Sequence, residues 1–309
     1  MGVFILLFGL VVVAVGWAVA QRGSITAAET TDPATFGSGR LIDVGGLSVH
    51  VVEQGGTALA PIMLIHGFNP AGGAVWTEMA GLLDRNRLII PDLIDFGFSQ
   101  RIETTGRVHT VIGRAEHLAE LLDDLDTGPL TLVGAGYGGA VAAQLALLEP
   151  DLIEALVIID GEIYGPPAGW PQRLAAMPVL GPAVAFNAWG ASQRAEDAFN
   201  RSCLGGICPP EIVEARRVAS AIPGTAAALA AMLSTGEAST VVENLARIES
   251  RTLVIWGESD PVTPLEDGRR IAGAIPGAEL KLAVGTAHSP EIDNPAVVAE
   301  LIIAFLAAG

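Results

Sequence analysis

Between Leu130 and Ala143 the chain reads LTLVGAGYGGAVAA: an apolar run, a glycine-dense turn and an alanine-rich stretch suited to a helix. Two chemistries use a turn of this kind. In the elbow motif G-x-S-x-G, small flanking residues let strand and helix approach while the middle residue projects a nucleophilic hydroxyl. Gly134 and Gly138 supply the flanks, but the middle residue is Gly136, which has no side chain to attack with. In the dinucleotide fingerprint G-x-G-x-x-G, backbone amides cradle a pyrophosphate at a helix start. Gly134, Gly136 and Gly139 match that pattern, and Asp160 closes the next apolar run where a ribose-binding acid would stand.

The surrounding elements decide how the turn is held. Arg40 to Glu53 gives two alternating runs around Gly45-Gly46, a hairpin signal. Pro61 to Ile65 is a continuous apolar strand ending at His66-Gly67-Phe68, and Arg87 to Asp92 is the next. Helical periodicity over Val111–Leu125 precedes the central strand. Ala155 to Asp160 is a further buried strand, after which the alternation stops. Residues 165–245 are helical and loop-like with prolines at the entry, and read as a lid inserted after a strand. Alternation resumes with Thr252–Trp256, a helix, Glu279–Val284, a loop through His288 and a closing helix from Pro295. The expected fold class is α/β, with a mostly parallel, doubly wound sheet. Its core spans residues 40–164 and 246–309.

A 309-residue chain that is 50% hydrophobic can bury a full core. The formal net charge of −17 argues against nucleic acid as a partner, because counterion release needs clustered Lys and Arg. An acidic, solvated surface accounts for it. Val3 to Ala20 carries no charge and ends in Ala18-Val19-Ala20, a small-x-small pattern. Residues 1–20 therefore read as either a cleaved signal peptide or an uncleaved membrane anchor, and residues 21–39 as a linker. Export follows in both cases, to a secreted or a membrane-anchored form. Cys203 and Cys208, the only cysteines, are expected to form a disulfide in an exported protein. Two cysteines with no nearby histidine make no metal site, and no cofactor is expected.

Taken in order from about residue 40, these motifs resemble the α/β-hydrolase family. Within it they resemble the lid-bearing branch of epoxide hydrolases, haloalkane dehalogenases, esterases and carbon–carbon bond hydrolases. His66-Gly67-Phe68 resembles the family's oxyanion loop, with the Phe68 amide as one donor and the Tyr137 amide, after the elbow, as the other. Asp92 to Ser99 resembles its D-x-P-G-x-G-x-S loop, with Ile94 in place of proline and Asp95 in place of glycine. Asp260 in WGESDPVTP falls at the catalytic acid and His288 in GTAHSPEIDNP at the catalytic histidine. His66, Asp95, Trp170, Phe186 and Trp189 are candidate binding or pocket-lining residues. The order of motifs makes dinucleotide binding the minor reading.

With glycine at position 136, covalent catalysis from the elbow is excluded. What the resemblance then implies is a hydrolase of a small, largely apolar ester, epoxide or related molecule, with His288 and Asp260 acting on water. The alternative is a non-catalytic relative that binds a small molecule or a partner through the same pocket.

Overall fold

The computed structural model describes residues 2–35, 37–165, 170–235 and 240–308, with the side chains of 2–8 and 170–172 excepted. Eight strands form one sheet in the order β1-β2-β4-β3-β5-β6-β7-β8. β1 (Arg40–Val44), β2 (Leu47–Gly55) and β4 (Asn86–Pro91) pair antiparallel, and β3 (Leu59–Ile65) joins β4 in parallel. β5 (Leu130–Ala135), β6 (Ile153–Ile159), β7 (Arg251–Gly257) and β8 (Glu279–Ala283) extend the parallel part. This is the expected mostly parallel sheet with an N-terminal hairpin.

The helices in chain order are α1 (Gly2–Ala28), α2 (Thr77–Leu82), α3 (Val111–Leu125), α4 (Tyr137–Leu148), α5 (Trp170–Ala175), α6 (Gly181–Ala188) and α7 (Gln193–Asn200). They continue with α8 (Pro210–Ser220), α9 (Thr225–Thr235), α10 (Val241–Asn244), α11 (Leu265–Ala274), α12 (Pro290–Asp293) and α13 (Pro295–Ala307). Strand residues alternate between two faces, as the period of two requires. Met63, Leu132, Ile158 and Val254 pack with α3, α4 and α11 on one side. Leu64, Val133, Val157 and Ile255 pack with α2 and α13 on the other. Because β3 and β5 are neighbours while the chain visits β4 between them, connections leave the two strands on opposite sides. The crevice at their carboxyl ends is where such sheets place ligands.

Helices α5 to α10 lie between β6 and β7 in the chain. Within them Cys203 and Cys208 form a disulfide, with both residues buried. The Gly9–Ala28 stretch of α1, 20 residues with mean hydropathy 1.4, is long and apolar enough to cross a membrane, a property shared by anchors and signal sequences. The helix does not stop at Ala20, where composition predicts a linker, but runs on to Ala28. Two contacts hold that extension. Asn187 Nδ2 donates to Gln21 Oε1 at 3.0 Å, and the Glu29 carboxylate accepts from the Gly224 and Ala226 amides at 2.9 and 2.7 Å.

Candidate active site

The turn after β5 has the geometry of an elbow. Gly136 sits at φ 52°, ψ −121°, a region that glycine enters far more readily than other residues, and Tyr137 opens α4 directly after it. The Gly136 amide donates to Ile159 O at 2.9 Å, and the Gly136 carbonyl accepts from Glu162 N at 3.0 Å, so the loop after β6 is stapled to the turn. A Cβ at position 136 would meet only ordinary contacts, Gly67 Cα at 3.8 Å and Glu162 Oε1 at 3.9 Å. A side chain would therefore fit in the space.

Two late loops bring the remaining charged groups to that space. Asp260, after β7, accepts from the Val262 and Thr263 amides at 2.6 and 3.1 Å and from the Thr263 hydroxyl. Its Oδ2 lies 3.0 Å from His288 Nδ1. The other ring nitrogen, Nε2, faces Glu162 Oε1 at 3.5 Å. Burial alone would push the His288 pKa down, but the two flanking carboxylates outweigh it and lift it to about 10. At neutral pH His288 is thus an imidazolium between two acids. For Asp260, burial pushes upward, but the hydrogen bond and charge of His288 win and hold the carboxyl below its usual range. Burial raises Glu291, which lies close by, to about 7.

Gly136, Glu162 and His288 line one cavity of about 210 Å³, with Gly67, Phe68 and Val75 from the β3 side and Trp189, Phe199 and Arg216 from the helices between β6 and β7. The Phe68 ring stands edge-on to Trp189 at 6.1 Å. Arg216 is buried and donates to the Trp189 and Gly190 carbonyls at 2.9 and 3.1 Å. Phe68 lies on the cavity wall, and Tyr137 opens α4 directly after the elbow.

Not all the candidates converge. His66 is fully buried and faces away from the cavity, its Nδ1 on Gly67 O at 2.7 Å and its Nε2 accepting from Leu93 N at 3.0 Å. It braces the end of β3 against the loop after β4. Asp95 is likewise outside the cavity wall. It takes the glycine's place at φ 77° and is held by the Ile102 amide at 2.8 Å, Arg114 at 3.1 Å and His109 at 3.2 Å. That buried ion cluster stabilises a conformation that glycine would adopt unaided. Phe186 is buried in the helical segment without reaching the cavity, whereas Trp189 does line it. The Trp170 side chain lies outside the described residues.

Asp160 is not offered to a ribose. Its Oδ1 accepts from Gly257 N at 2.8 Å and its Oδ2 has no hydrogen-bond partner among the described residues. One ligand atom each from Asp160, Asp260 and His288 falls within 4.8 Å of the others, a spacing open to a metal ion. Their chemistry fits poorly, because Asp260 and His288 are already paired and burial keeps Asp160 protonated.

The sequence profile of the α/β hydrolase fold matches residues 60–295. The chain belongs to the α/β-hydrolase family. At 29% identity over 292 residues, this α/β-hydrolase is similar to a 2-hydroxy-6-oxo-2,4-heptadienoate hydrolase of Pseudomonas putida, over 87% of this chain and 96% of that one. At 30% identity over 282 residues it is similar to a 2-hydroxymuconate semialdehyde hydrolase of a Pseudomonas species, over 87% of this chain and 94% of the relative. Among solved structures, a thermophilic esterase from Thermogutta terrifontis superposes with TM-score 0.72 at 26% identity, covering 87% of this chain and 98% of that one.

Sequence reasoning missed Glu162, Phe199, Arg216 and Glu291 in this α/β-hydrolase. A signal for Glu162 existed: it follows β6 by three residues, at the carboxyl edge of a parallel strand, where ligand groups collect.

Asp160 provides a prediction. Burial first, then the nearby Asp260 charge, raises its pKa from 3.8 to about 9. The folded state therefore binds a proton that the unfolded state releases, and stability falls as pH rises through that window. Asp160→Asn mimics the neutral acid. It is expected to stabilise the protein, with a gain that is small near pH 4 and grows by up to about 1.4 kcal/mol per pH unit toward pH 9. Urea unfolding of both proteins at a series of pH values measures it; a pH-independent difference would mean that Asp160 is ionised in the fold.

Proposed function

We propose that this α/β-hydrolase cleaves a small, largely apolar ester or a related electrophile, and that water attacks where its relatives' elbow side chain would. The observation that supports this most is the convergence of the Gly136 turn, the His288–Asp260 pair and the Phe68 loop on one cavity of about 210 Å³. Phe68, Val75, Trp189 and Phe199 suit an apolar body, and Glu162 and His288 face each other on the same cavity wall. In this reading the Phe68 and Tyr137 amides hold the developing oxyanion. The helices between β6 and β7 serve as the lid over it. The two curated relatives are hydrolases of small unsaturated keto-acids or semialdehydes by name, and the structural neighbour is an esterase, so small-molecule hydrolysis is the shared ground. The apolar Gly9–Ala28 stretch and the disulfide support an exported protein, secreted or anchored by α1.

Because no side chain at position 136 forms an acyl-enzyme, hydrolysis of p-nitrophenyl acetate is expected to proceed without a burst. Mass spectrometry of protein quenched during turnover should find only the unmodified chain. A stoichiometric burst or an adduct would replace the water mechanism with a covalent one. Absence of turnover on short-chain p-nitrophenyl esters, with saturable binding of the same compounds, would favour a non-catalytic binding protein; the missing side chain at Gly136 is the feature that supports this second reading.

A further inference from the structure

His288 would be the base in a site of this family, yet here it stands between two carboxylates. Asp260 Oδ2 is 3.0 Å from Nδ1 and Glu162 Oε1 is 3.5 Å from Nε2, so the nitrogen that should receive a proton already faces an anion. The position of Glu162 is as informative as its charge. Its Oε1 lies 3.9 Å from the point where a Cβ of residue 136 would be, on the cavity wall, and its backbone is stapled to the turn through Gly136 O. A hydroxyl on that Cβ would share the cavity wall with Glu162. A water molecule there would be within hydrogen-bonding reach of the Glu162 carboxylate.

We propose that Glu162 is the catalytic base of this site and that His288 serves as its acid. The inference rests on the hydrolase reading and names the proton carriers for it. One O–H bond of the water breaks, its proton passing to Glu162 Oε1 while its oxygen bonds to the acyl carbon. The carbonyl oxygen, now anionic, is held by the Phe68 and Tyr137 amides. As the intermediate collapses, the bond from carbon to the leaving oxygen breaks and that oxygen takes the proton from His288 Nε2. The proton on Glu162 then crosses to Nε2, and the Asp260–His288–Glu162 ion triad is restored. Ester and water have become acid and alcohol, with no co-reactant and no covalent intermediate.

Glu162→Gln tests this, since it keeps the shape and removes the base. With p-nitrophenyl acetate, kcat is expected to fall by about 100-fold or more, with KM little changed and the acid limb of the pH profile lost. Asp160, Asp260 and Glu291 also face His288 and remain in the variant; loss of the Glu162 charge lowers His288 as well, which moves the alkaline limb and leaves the acid one to Glu162. Glu162→Asp, which withdraws the carboxylate but retains it, should keep the limb at lower kcat and serves if the amide variant folds poorly. A smaller loss of kcat in Glu162→Gln with the acid limb intact would overturn the assignment.

The serine variants separate failure of this assignment from failure of the hydrolase reading. Gly136→Ser alone should show a stoichiometric burst even at about pH 6, where His288 is charged, because Glu162 is placed to take the new hydroxyl's proton as it takes the water's. Gly136→Ser combined with Glu162→Gln should show a burst only at the higher pH at which His288 becomes neutral. A single serine variant whose burst is confined to that higher pH would overturn the role of Glu162 while upholding the site as a hydrolase. No burst in the double variant, together with an inactive wild type, would remove both.

Discussion

Asp260→Asn is expected to lower kcat for p-nitrophenyl ester hydrolysis by up to about 10⁴-fold, the scale on which replacing the orienting acid by its amide acts in such triads. The asparagine Oδ1 can still accept from the Val262 and Thr263 amides, which lie 2.6 and 3.1 Å from the present carboxylate oxygen, so the turn should survive. What is lost is the anion 3.0 Å from His288 Nδ1. The imidazolium then keeps only Glu162 as a counter-charge, and its pKa falls from about 10 toward the ordinary 6.5. A reaction that needs His288 as an acid would lose its alkaline range, so the alkaline limb should move down by several pH units.

The same shift appears in stability, with a definite sign. A histidine whose folded pKa lies above its unfolded value contributes stability that is fully present below pH 6.5 and lost as pH rises through about 10. Asp260→Asn should therefore cost stability at pH 6 and much less at pH 10. Rate profiles and thermal melts across that range check both statements. A variant that loses rate with an unmoved alkaline limb would show that Asp260 orients His288 without setting its charge.

How far the site is legible in the sequence depends on whether a residue's role comes from strand-end position or from packing in three dimensions. Asp260 and His288 sit on loops directly after successive strands, and strand and helix signals place them on one edge of the sheet. Gly136 is legible for the same reason, its flanking glycines marking the turn. His66 and Asp95 illustrate the limit. Both stand on strand-end loops, yet Leu93 N and Gly67 O engage one, and Arg114, His109 and Ile102 engage the other, so neither faces the cavity. Their partners come from distant parts of the chain, which local pattern does not register. Arg216 and Phe199 were invisible for a related reason: helices α7 and α8 show periodicity, but the side that faces the cavity is set by how they dock over the sheet. The sequence places a linker from residue 21, whereas α1 runs on to Ala28, with Gln21 and, just past the helix end, Glu29 bonded to the segment between β6 and β7.

The three glycines of the turn are expected to separate sharply on substitution, and the order tests the packing that positions every group discussed above. A Cβ on Gly138 would lie 2.4 Å from Ile65 O and 2.5 Å from His66 O. These are backbone atoms at the end of β3, fixed by the sheet, so α4 would have to move off β3 or the strand would have to yield. A Cβ on Gly134 would lie 2.3 Å from Gly138 O and 2.8 Å from Gly139 N, the same conflict seen from the strand side. Gly138→Ala and Gly134→Ala should each cost about 4 kcal/mol or more, beyond the usual overpacking penalty of ~1–3 kcal/mol because no flexible side chain can give way. Gly136→Ala meets nothing closer than 3.8 Å, so only its positive φ is charged, at ~1–3 kcal/mol less the smaller entropy that alanine loses on folding. Urea midpoints of the three variants, with soluble yield as a second reading, rank them. Equal losses at 136 and 138 would mean that the turn is not packed as described. If the expected order holds, the fold demands glycine at 134 and 138 but only favours it at 136, and the absence of a nucleophilic side chain there is a property of the site's chemistry, with no steric necessity behind it.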